Sequence, residues 1–78
     1  MSDASWMKLD LEPDVEIHEA VVGETRWRAI AVARGWCLSR LVAGSTPRWK
    51  IVRALDGSIR QWPTLREACE AAERMTSS

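Results

Sequence analysis

The sequence contains no phenylalanine and no tyrosine, so its five tryptophans are its only aromatic side chains. A chain of 78 residues forms one small domain. Such a domain buries only about 60% of the surface exposed by its unfolded chain, and it needs most of its large apolar residues for stability. Since no other side chain of that size is available, we expect some of the tryptophans to fill the core. The others are candidates for contacts with a partner.

Groups that catalyse reactions or hold metal ions are scarce. His18 is the only histidine, and it lies in an acidic segment without an evident orienting partner. Cys37 and Cys69 lack the CxxC spacing of redox and zinc sites, and the four glycines are single turn residues rather than a phosphate-binding loop. We therefore predict a protein that is not an enzyme, with no catalytic residue, no metal and no cofactor.

Long apolar runs are also missing. A run such as 29–33 is far too short to cross a bilayer. The amino terminus lacks the basic start of a targeting sequence, and two cysteines are too few for a disulfide framework. We expect a soluble, cytoplasmic protein that carries both cysteines as free thiols.

The net charge is zero, but the charges are segregated along the chain. Residues 1–24 carry seven acids and one lysine, a net charge of −6. Residues 25–66 carry nine bases and one acid, a net charge of +8, and residues 67–78 carry −2. This segregation indicates either a polyanionic or charged protein partner, or an acidic segment that folds against a basic sheet and neutralises it.

The stretch from Arg48 to Trp62 predicts two strands around a turn. Asp56-Gly57 favours a type I′ hairpin turn, which requires positive φ at both central residues. On the first strand, the apolar residues Trp49, Ile51 and Leu55 occupy alternating positions, close to the two-residue period of a half-buried strand.

A helix is predicted directly after this hairpin. Thr64 and Glu67 have the spacing of a capping box, in which the threonine accepts from the Glu67 N–H and the glutamate reaches back. A narrow apolar stripe follows at helical spacing, made of Leu65, Ala68, Cys69, Ala72 and Met75. We expect residues 76–78 to fray.

The preceding chain predicts further strands, over 15–21, 26–34 and 36–43, with turns at Gly23-Glu24 and Gly35. Both faces of the 36–43 segment are partly apolar, so this strand should lie centrally. The predicted fold class is α+β: a small antiparallel β-meander of three to five strands with one C-terminal amphipathic helix on one face. Residues 1–12 are predicted to form a partly ordered acidic arm, and residues 13–78 a single domain.

The order strand, Asp-Gly turn, strand and Thr64-Leu-Arg-Glu-Ala68 resembles the arm-type DNA-binding domains of phage integrases. The resemblance covers the chain from Trp49 onward. It implies a three-stranded sheet that enters the major groove and a helix that closes the domain. In size and style the whole chain is also similar to small phage accessory proteins such as anti-CRISPR proteins.

Three binding hypotheses follow from these features. The basic sheet binds nucleic acid through arginines and stacking tryptophans, or the chain binds another protein, or it associates with itself as a homodimer. For the first two, the predicted contact residues are Arg48, Trp49, Lys50, Arg53, Arg60 and Trp62.

We favour a non-catalytic inhibitor or modulator that binds a protein, or a nucleoprotein complex, of the nucleic-acid-handling machinery and blocks its ligand. The alternative is a DNA- or RNA-binding module. We rank protein binding above nucleic-acid binding because the acidic segment cancels the long-range electrostatic field that a non-specific nucleic-acid binder needs. No membrane partner is expected.

Overall fold

The computed structural model describes residues 5–77, excluding the side chain of residue 77. These residues form six strands and one helix: β1 Met7–Glu12, β2 Val15–Val22, β3 Thr25–Val32, β4 Gly35–Val42, β5 Arg48–Ile51, β6 Gln61–Trp62 and α1 Leu65–Ser77. The strands build one antiparallel sheet in the order β1-β2-β3-β4-β5, and β6 pairs with β4 beyond the end of β5. The predicted α+β meander with a C-terminal helix is therefore confirmed.

The sheet has one strand more than the largest number predicted because its last edge is divided in two. The hairpin predicted between 48 and 62 assumed that its two strands pair with each other. Instead, β5 and β6 both pair with β4, along the same side of that strand. Between them, the chain leaves the sheet at Val52, whose N–H donates to the Leu38 carbonyl, and returns at Arg60.

The helix covers one face of the sheet and closes the core. Alternation along the strands directs Trp27, Ala29, Leu38 and Trp62 toward the helix, where they meet the alanines Ala68, Ala71 and Ala72. Trp27 and Leu38 are the largest side chains that are almost fully buried. Small alanines on the helix let it lie close to two tryptophans, so the core is thin and depends on few large residues.

The helix begins where the sequence predicts. The Glu67 N–H donates to Thr64 Oγ1 at 3.2 Å, and the Thr64 hydroxyl donates to Glu67 Oε2 at 3.2 Å. The Glu67 carboxylate therefore reaches back to the Thr64 hydroxyl. The prediction that residue 76 frays is wrong. Thr76 lies within the helix, where its hydroxyl donates to the Ala72 carbonyl and accepts from the Trp27 Nε1–H at 2.9 Å.

Part of the segment predicted as an acidic arm is a strand of the sheet. Met7–Glu12 pairs with β2 through an irregular register between Leu9 and Glu12, while residues 1–4 lie outside the described residues. Half-buried Trp6 packs against the core, and its Nε1–H donates to Glu73 Oε2 at 3.4 Å. This bond ties the start of the described chain to the helix.

Because strand order follows chain order, the charge segregation of the sequence becomes a separation in space. The β1 edge, residues 7–16, has one lysine against four acids, a net charge of −3. The β5 edge, residues 48–60, has four bases against Asp56, a net charge of +3. From residue 5 onward, the acidic segment does not fold over β5, although its Glu19 pairs with Arg26 and Arg28 of β3. It forms the opposite edge of the sheet.

Candidate binding surfaces

The chain between β5 and β6 forms a projecting loop, which we call the tip hairpin and define as residues 52–60. Its arms are joined by a single bridge between Arg53 and Ile59. The Ala54 N–H donates to the Ser58 carbonyl at 2.8 Å, and the Gly57 N–H donates to the Ala54 carbonyl at 3.0 Å. These bonds enclose a three-residue loop of Leu55, Asp56 and Gly57.

The predicted type I′ turn is wrong for this loop. Gly57 has φ of +89°, but no non-glycine residue in the described chain has positive φ, which excludes the left-handed Asp56 that type I′ requires. A three-residue loop with glycine in the left-handed position is the alternative hairpin geometry. The loop moves Leu55 from the predicted half-buried strand to the tip, where it is fully exposed, at 110% of the reference area.

Side chains hold the tip hairpin in one shape. Asp56 Oδ1 accepts from the Ser58 N–H at 2.9 Å and from the Ser58 hydroxyl at 2.6 Å. Arg53 Nη1 donates to the Gly57 carbonyl at 2.9 Å. The hydrogen bonds from Ser58 lower the pKa of Asp56 below its ordinary value, so the carboxylate stays ionised and keeps its acceptors near neutral pH. The loop is therefore preorganised around an exposed leucine.

The six predicted contact residues do not share one surface. Trp62 is 7% exposed and belongs to the core, with the Arg60 guanidinium 5.2 Å from its ring centre. Trp49 is half-buried on the sheet face opposite the helix. Arg48 and Lys50 are exposed on the helix side, whereas Arg53 belongs to the tip hairpin. Of the two tryptophans predicted as contacts, only Trp49 lies near a surface.

A group of cations lies on the helix side of the β4–β5 end of the sheet. We call it the basic flank, and its members are Arg40, Arg48, Lys50, Arg60 and Arg74. Arg60 and Arg74 line a shallow cavity of ≈ 260 Å³ together with Ala71 and Met75. All five are exposed, and none makes an ion pair within residues 5–77.

Two members of the basic flank are directly opposed. Arg40 and Lys50 are cross-strand partners on β4 and β5. Like charges in directly opposite positions destabilise a sheet, and a bound anion would relieve this repulsion. The flank is therefore a candidate site for an anionic ligand. The contact residues predicted from the sequence do not include Arg40 and Arg74, because neither lies in the hairpin stretch of dense arginine and tryptophan.

The sheet face opposite the helix, which we call the open face, is mainly apolar. Strand register assigns to it Met7, Leu9, Ile17, Val21, Ile30, Val32, Cys37, Leu41, Trp49 and Ile51. Four of these remain substantially exposed, from Val32 at 37% to Met7 at 69%. The helix contacts the sheet only from the other side.

A polar strap crosses the middle of the open face. Glu19 Oε1 accepts from Arg28 Nε at 2.9 Å, and Glu19 Oε2 lies 3.5 Å from Arg26 Nη1. The Arg28 guanidinium then stacks over Trp49, 4.3 Å from the ring centre. The Ser39 hydroxyl, beneath this strap, donates to the Lys50 carbonyl at 3.3 Å. The four polar side chains of this strap therefore have partners within the chain.

Within residues 5–77, the histidine and the two cysteines are the residues to consider for nucleophilic or acid–base chemistry. His18 Nε2 donates to Glu16 Oε2 at 2.6 Å, and this hydrogen bond lowers the pKa of the exposed Glu16 carboxyl. Both cysteines are free thiols. Burial raises the pKa of Cys37, while burial and the charge of Glu73 raise the pKa of Cys69 to about 11. High thiol pKa values disfavour the reactive thiolate.

Across the described chain, no three His, Cys, Asp or Glu side chains come together in a group that could hold a metal ion. No helix within residues 5–77 is long and apolar enough to cross a membrane.

Comparison with known proteins identifies no relative of this chain. No protein-family model matches the sequence, no curated protein matches it, and no solved structure matches it. The resemblance to integrase arm-type domains stays a prediction. Function has to be argued from the surfaces of this chain.

Proposed function

We propose that this protein is a non-catalytic binding protein that inhibits or modulates another protein, with the tip hairpin as its main contact. One observation carries the proposal. A fully exposed leucine occupies the tip of a loop that backbone and side-chain hydrogen bonds hold in shape. Binding loops are commonly exposed segments positioned by a rigid scaffold.

Preorganisation is what makes such a loop effective. A flexible segment loses conformational entropy when a partner immobilises it, and a loop already fixed by its own hydrogen bonds avoids most of that cost. Here the Asp56–Ser58 bonds, the Arg53–Gly57 bond and the Ala54–Ser58 pairing act on the same short loop. Leu55 can then enter an apolar pocket with little further ordering.

The surroundings of Leu55 define the chemistry of the partner surface. Ile59, on the opposite arm, is 41% exposed and extends the apolar contact. Arg53, which donates to the Gly57 carbonyl, adds positive charge beside the loop, and Asp56 is turned to Ser58. The fitting partner is a protein with an apolar pocket whose rim is acidic. We place this interaction in the cytoplasm, with a protein of the nucleic-acid-handling machinery as the proposed target class.

The experiment compares two exposed leucines. The protein and its Leu55→Ala and Leu11→Ala variants are used to capture partners from a lysate, and the affinity of each captured protein is then measured with purified components. Leu11 is 55% exposed on β1, at the opposite edge of the sheet, and is the matched control. We expect Leu55→Ala to weaken binding by about 30-fold, near the 2 kcal/mol threshold of a hot spot, and Leu11→Ala to leave it unchanged.

Equal affinities for the three proteins would refute the tip hairpin as the contact. A circular dichroism spectrum and unfolding midpoint for each variant exclude loss of fold as the cause. Both leucines are exposed, so we expect neither substitution to change the stability by more than about 0.5 kcal/mol.

Direct binding of nucleic acid is the second candidate, and the basic flank favours it. Its cations lie at the edge opposite the acidic β1 strand, so the acidic segment does not shield them at short range. Against it, the flank offers no exposed aromatic ring for bases to stack on, since Trp62 is buried beneath Arg60. Phosphate contacts alone give salt-sensitive binding without sequence preference.

This candidate is tested by fluorescence anisotropy of labelled duplex and single-stranded DNA at low and raised salt. The variant Arg40→Glu with Lys50→Glu removes the opposed pair. Arg34→Glu with Arg66→Glu is the control, because it changes the net charge equally at exposed positions outside the flank. Salt-sensitive binding lost only in the first variant supports the candidate. No binding at low salt, or equal loss in both variants, rejects a site at the flank.

A further inference from the structure

We propose that the open face binds the open face of a second copy of this chain, forming a two-fold symmetric β-sandwich. The open face does not include Leu55, and the tip hairpin contributes only charge to one edge, so the inference does not depend on the function proposed above. Four observations carry it: the apolar composition of the face, its internally satisfied polar groups, its area and the opposite charges of the two sheet edges.

The first observation is that the domain leaves many apolar side chains outside its core. The core beneath the helix contains only two large side chains that are almost fully buried, Trp27 and Leu38. Met7, Val21, Val32 and Ile51 remain exposed on the open face. Packing against a second sheet about 10 Å away would bury these side chains in the usual manner of a β-sandwich.

The second observation is that the charged groups in the centre of the face are already linked to one another. The Glu19 carboxylate is shared by Arg26 and Arg28, and Arg28 also stacks on Trp49. The buried Ser39 hydroxyl already donates to a backbone carbonyl. A covered face with unpaired polar groups would be strongly disfavoured, but these groups keep their partners when water is removed.

The third observation is the area of the face. Strands β1 to β5 contain 6, 8, 8, 8 and 4 residues, and at about 3.3 Å per residue and about 4.8 Å between strands they give a face of roughly 540 Å². Two such faces bury roughly 1,100 Å² in total, which exceeds the minimum of about 1,000 Å² for a biological interface and falls at the small end of the range. The apolar face is therefore large enough for a dimer of modest affinity.

The fourth observation selects a second copy as the occupant and fixes its orientation. A two-fold axis parallel to the strands places the β1 edge of one copy over the β5 edge of its partner, and the reverse contact follows by symmetry. The edges carry net charges of −3 and +3, so both contacts are complementary. An axis perpendicular to the strands would place each edge over its own equivalent and repel at both.

The experiment is sedimentation equilibrium over a series of protein concentrations. We expect the apparent mass to rise from 8.8 kDa toward twice that value, and the association to weaken as salt is added. Val21→Lys inserts a charge into the open face at a position that is already exposed, so the monomer should still fold. It should raise the dimer dissociation constant by at least about tenfold. Leu55→Ala, which lies outside this face and changes no charge, should leave the dissociation constant unchanged.

Charge reversals test the orientation. Asp10→Lys with Glu12→Lys makes both edges basic, and Arg48→Glu with Lys50→Glu makes both acidic, so each double variant should associate more weakly than the wild type. The quadruple variant has edge charges of +1 and −1 and is neutral again, so its edges attract each other and its association should be stronger than that of either double variant.

Three results would overturn the proposal. The wild type could remain monomeric throughout the series, Val21→Lys could associate as strongly as the wild type, or the quadruple variant could stay as weak as the double variants. If the wild type is monomeric and captures a different protein that the Val21→Lys variant does not capture, the open face binds that protein instead of a second copy.

Discussion

At the scale of single residues, the polar atom of the most deeply buried tryptophan has one partner. Trp27 is 1% exposed, and its Nε1–H donates to Thr76 Oγ1. The hydroxyl comes from the last turn of the helix, so one hydrogen bond both satisfies the indole and fixes the end of the helix on the sheet.

We predict that Thr76→Val destabilises the protein by about 1–3 kcal/mol, because it leaves the buried indole N–H without an acceptor while keeping the side-chain shape. Thr76→Ser retains the hydroxyl and should recover most of the loss. Urea unfolding midpoints measure both. A midpoint for Thr76→Val equal to that of Thr76→Ser would contradict the role given to this bond.

A second residue-scale constraint is the lack of a side chain at Gly35. Its φ is +147°, and an added Cβ would lie well inside van der Waals distance of the Trp62 carbonyl oxygen. Gly44 has open space around the same position.

We predict that Gly35→Ala destabilises the fold by about 1–3 kcal/mol or more, through backbone strain and displacement of β6. Gly44→Ala, the control, should leave stability unchanged or raise it by up to about 1 kcal/mol, because alanine reduces the freedom of the unfolded chain. Thermal unfolding compares them, and similar melting temperatures for the two variants would refute the contact between Gly35 and β6.

At the scale of elements, the helix was predictable and the tip hairpin was only partly so. The capping box and apolar stripe of the helix depend on residues three or four apart, which the sequence displays directly. The hairpin geometry depends on β4, which binds both β5 and β6 and leaves only Arg53 and Ile59 to pair. This long-range competition placed Leu55 at the tip, where local alternation had predicted a half-buried strand.

We predict that Thr64→Ala lowers the free energy of unfolding by about 1 kcal/mol, since it removes the acceptor of the Glu67 N–H at the start of the helix. Thr64→Ser keeps the acceptor and should behave nearly as the wild type. Denaturant unfolding followed by helix circular dichroism provides the measurement. An unchanged midpoint for Thr64→Ala would show that this cap contributes nothing to stability.

At the scale of the whole molecule, the sheet order turns the charge pattern of the sequence into two oppositely charged edges. The segregation was visible in the sequence, whereas its location required the strand order. The contacts predicted from the density of arginine and tryptophan include Arg48 and Lys50, which are exposed, and their contact role stays a prediction. The same reasoning placed Trp62 wrongly at a surface, because the pairing of Trp62 with Trp36 turns its ring under the helix.

Strand β4 is paired on both sides, so we expect it to open only when the whole protein unfolds. Cys37 is 4% exposed on this strand, and burial raises its pKa, so native protein should present almost no reactive thiolate there. In a Cys69→Ser variant, we expect thiol labelling at pH 8 to be slow and to accelerate with urea in parallel with global unfolding. Rapid labelling in the absence of urea would mean that β4 opens locally.

The most direct test of the proposed function is site-specific photo-crosslinking in cells. A photoreactive amino acid replaces Leu55 in one variant and Leu11 in another, and crosslinked proteins are identified after irradiation. We predict a discrete adduct with a different protein from position 55 and no such adduct from position 11, where the proposed dimer allows only a crosslink to a second copy of the chain. No adduct from position 55, or the same adducts from both positions, would contradict the tip hairpin as the surface by which this protein acts.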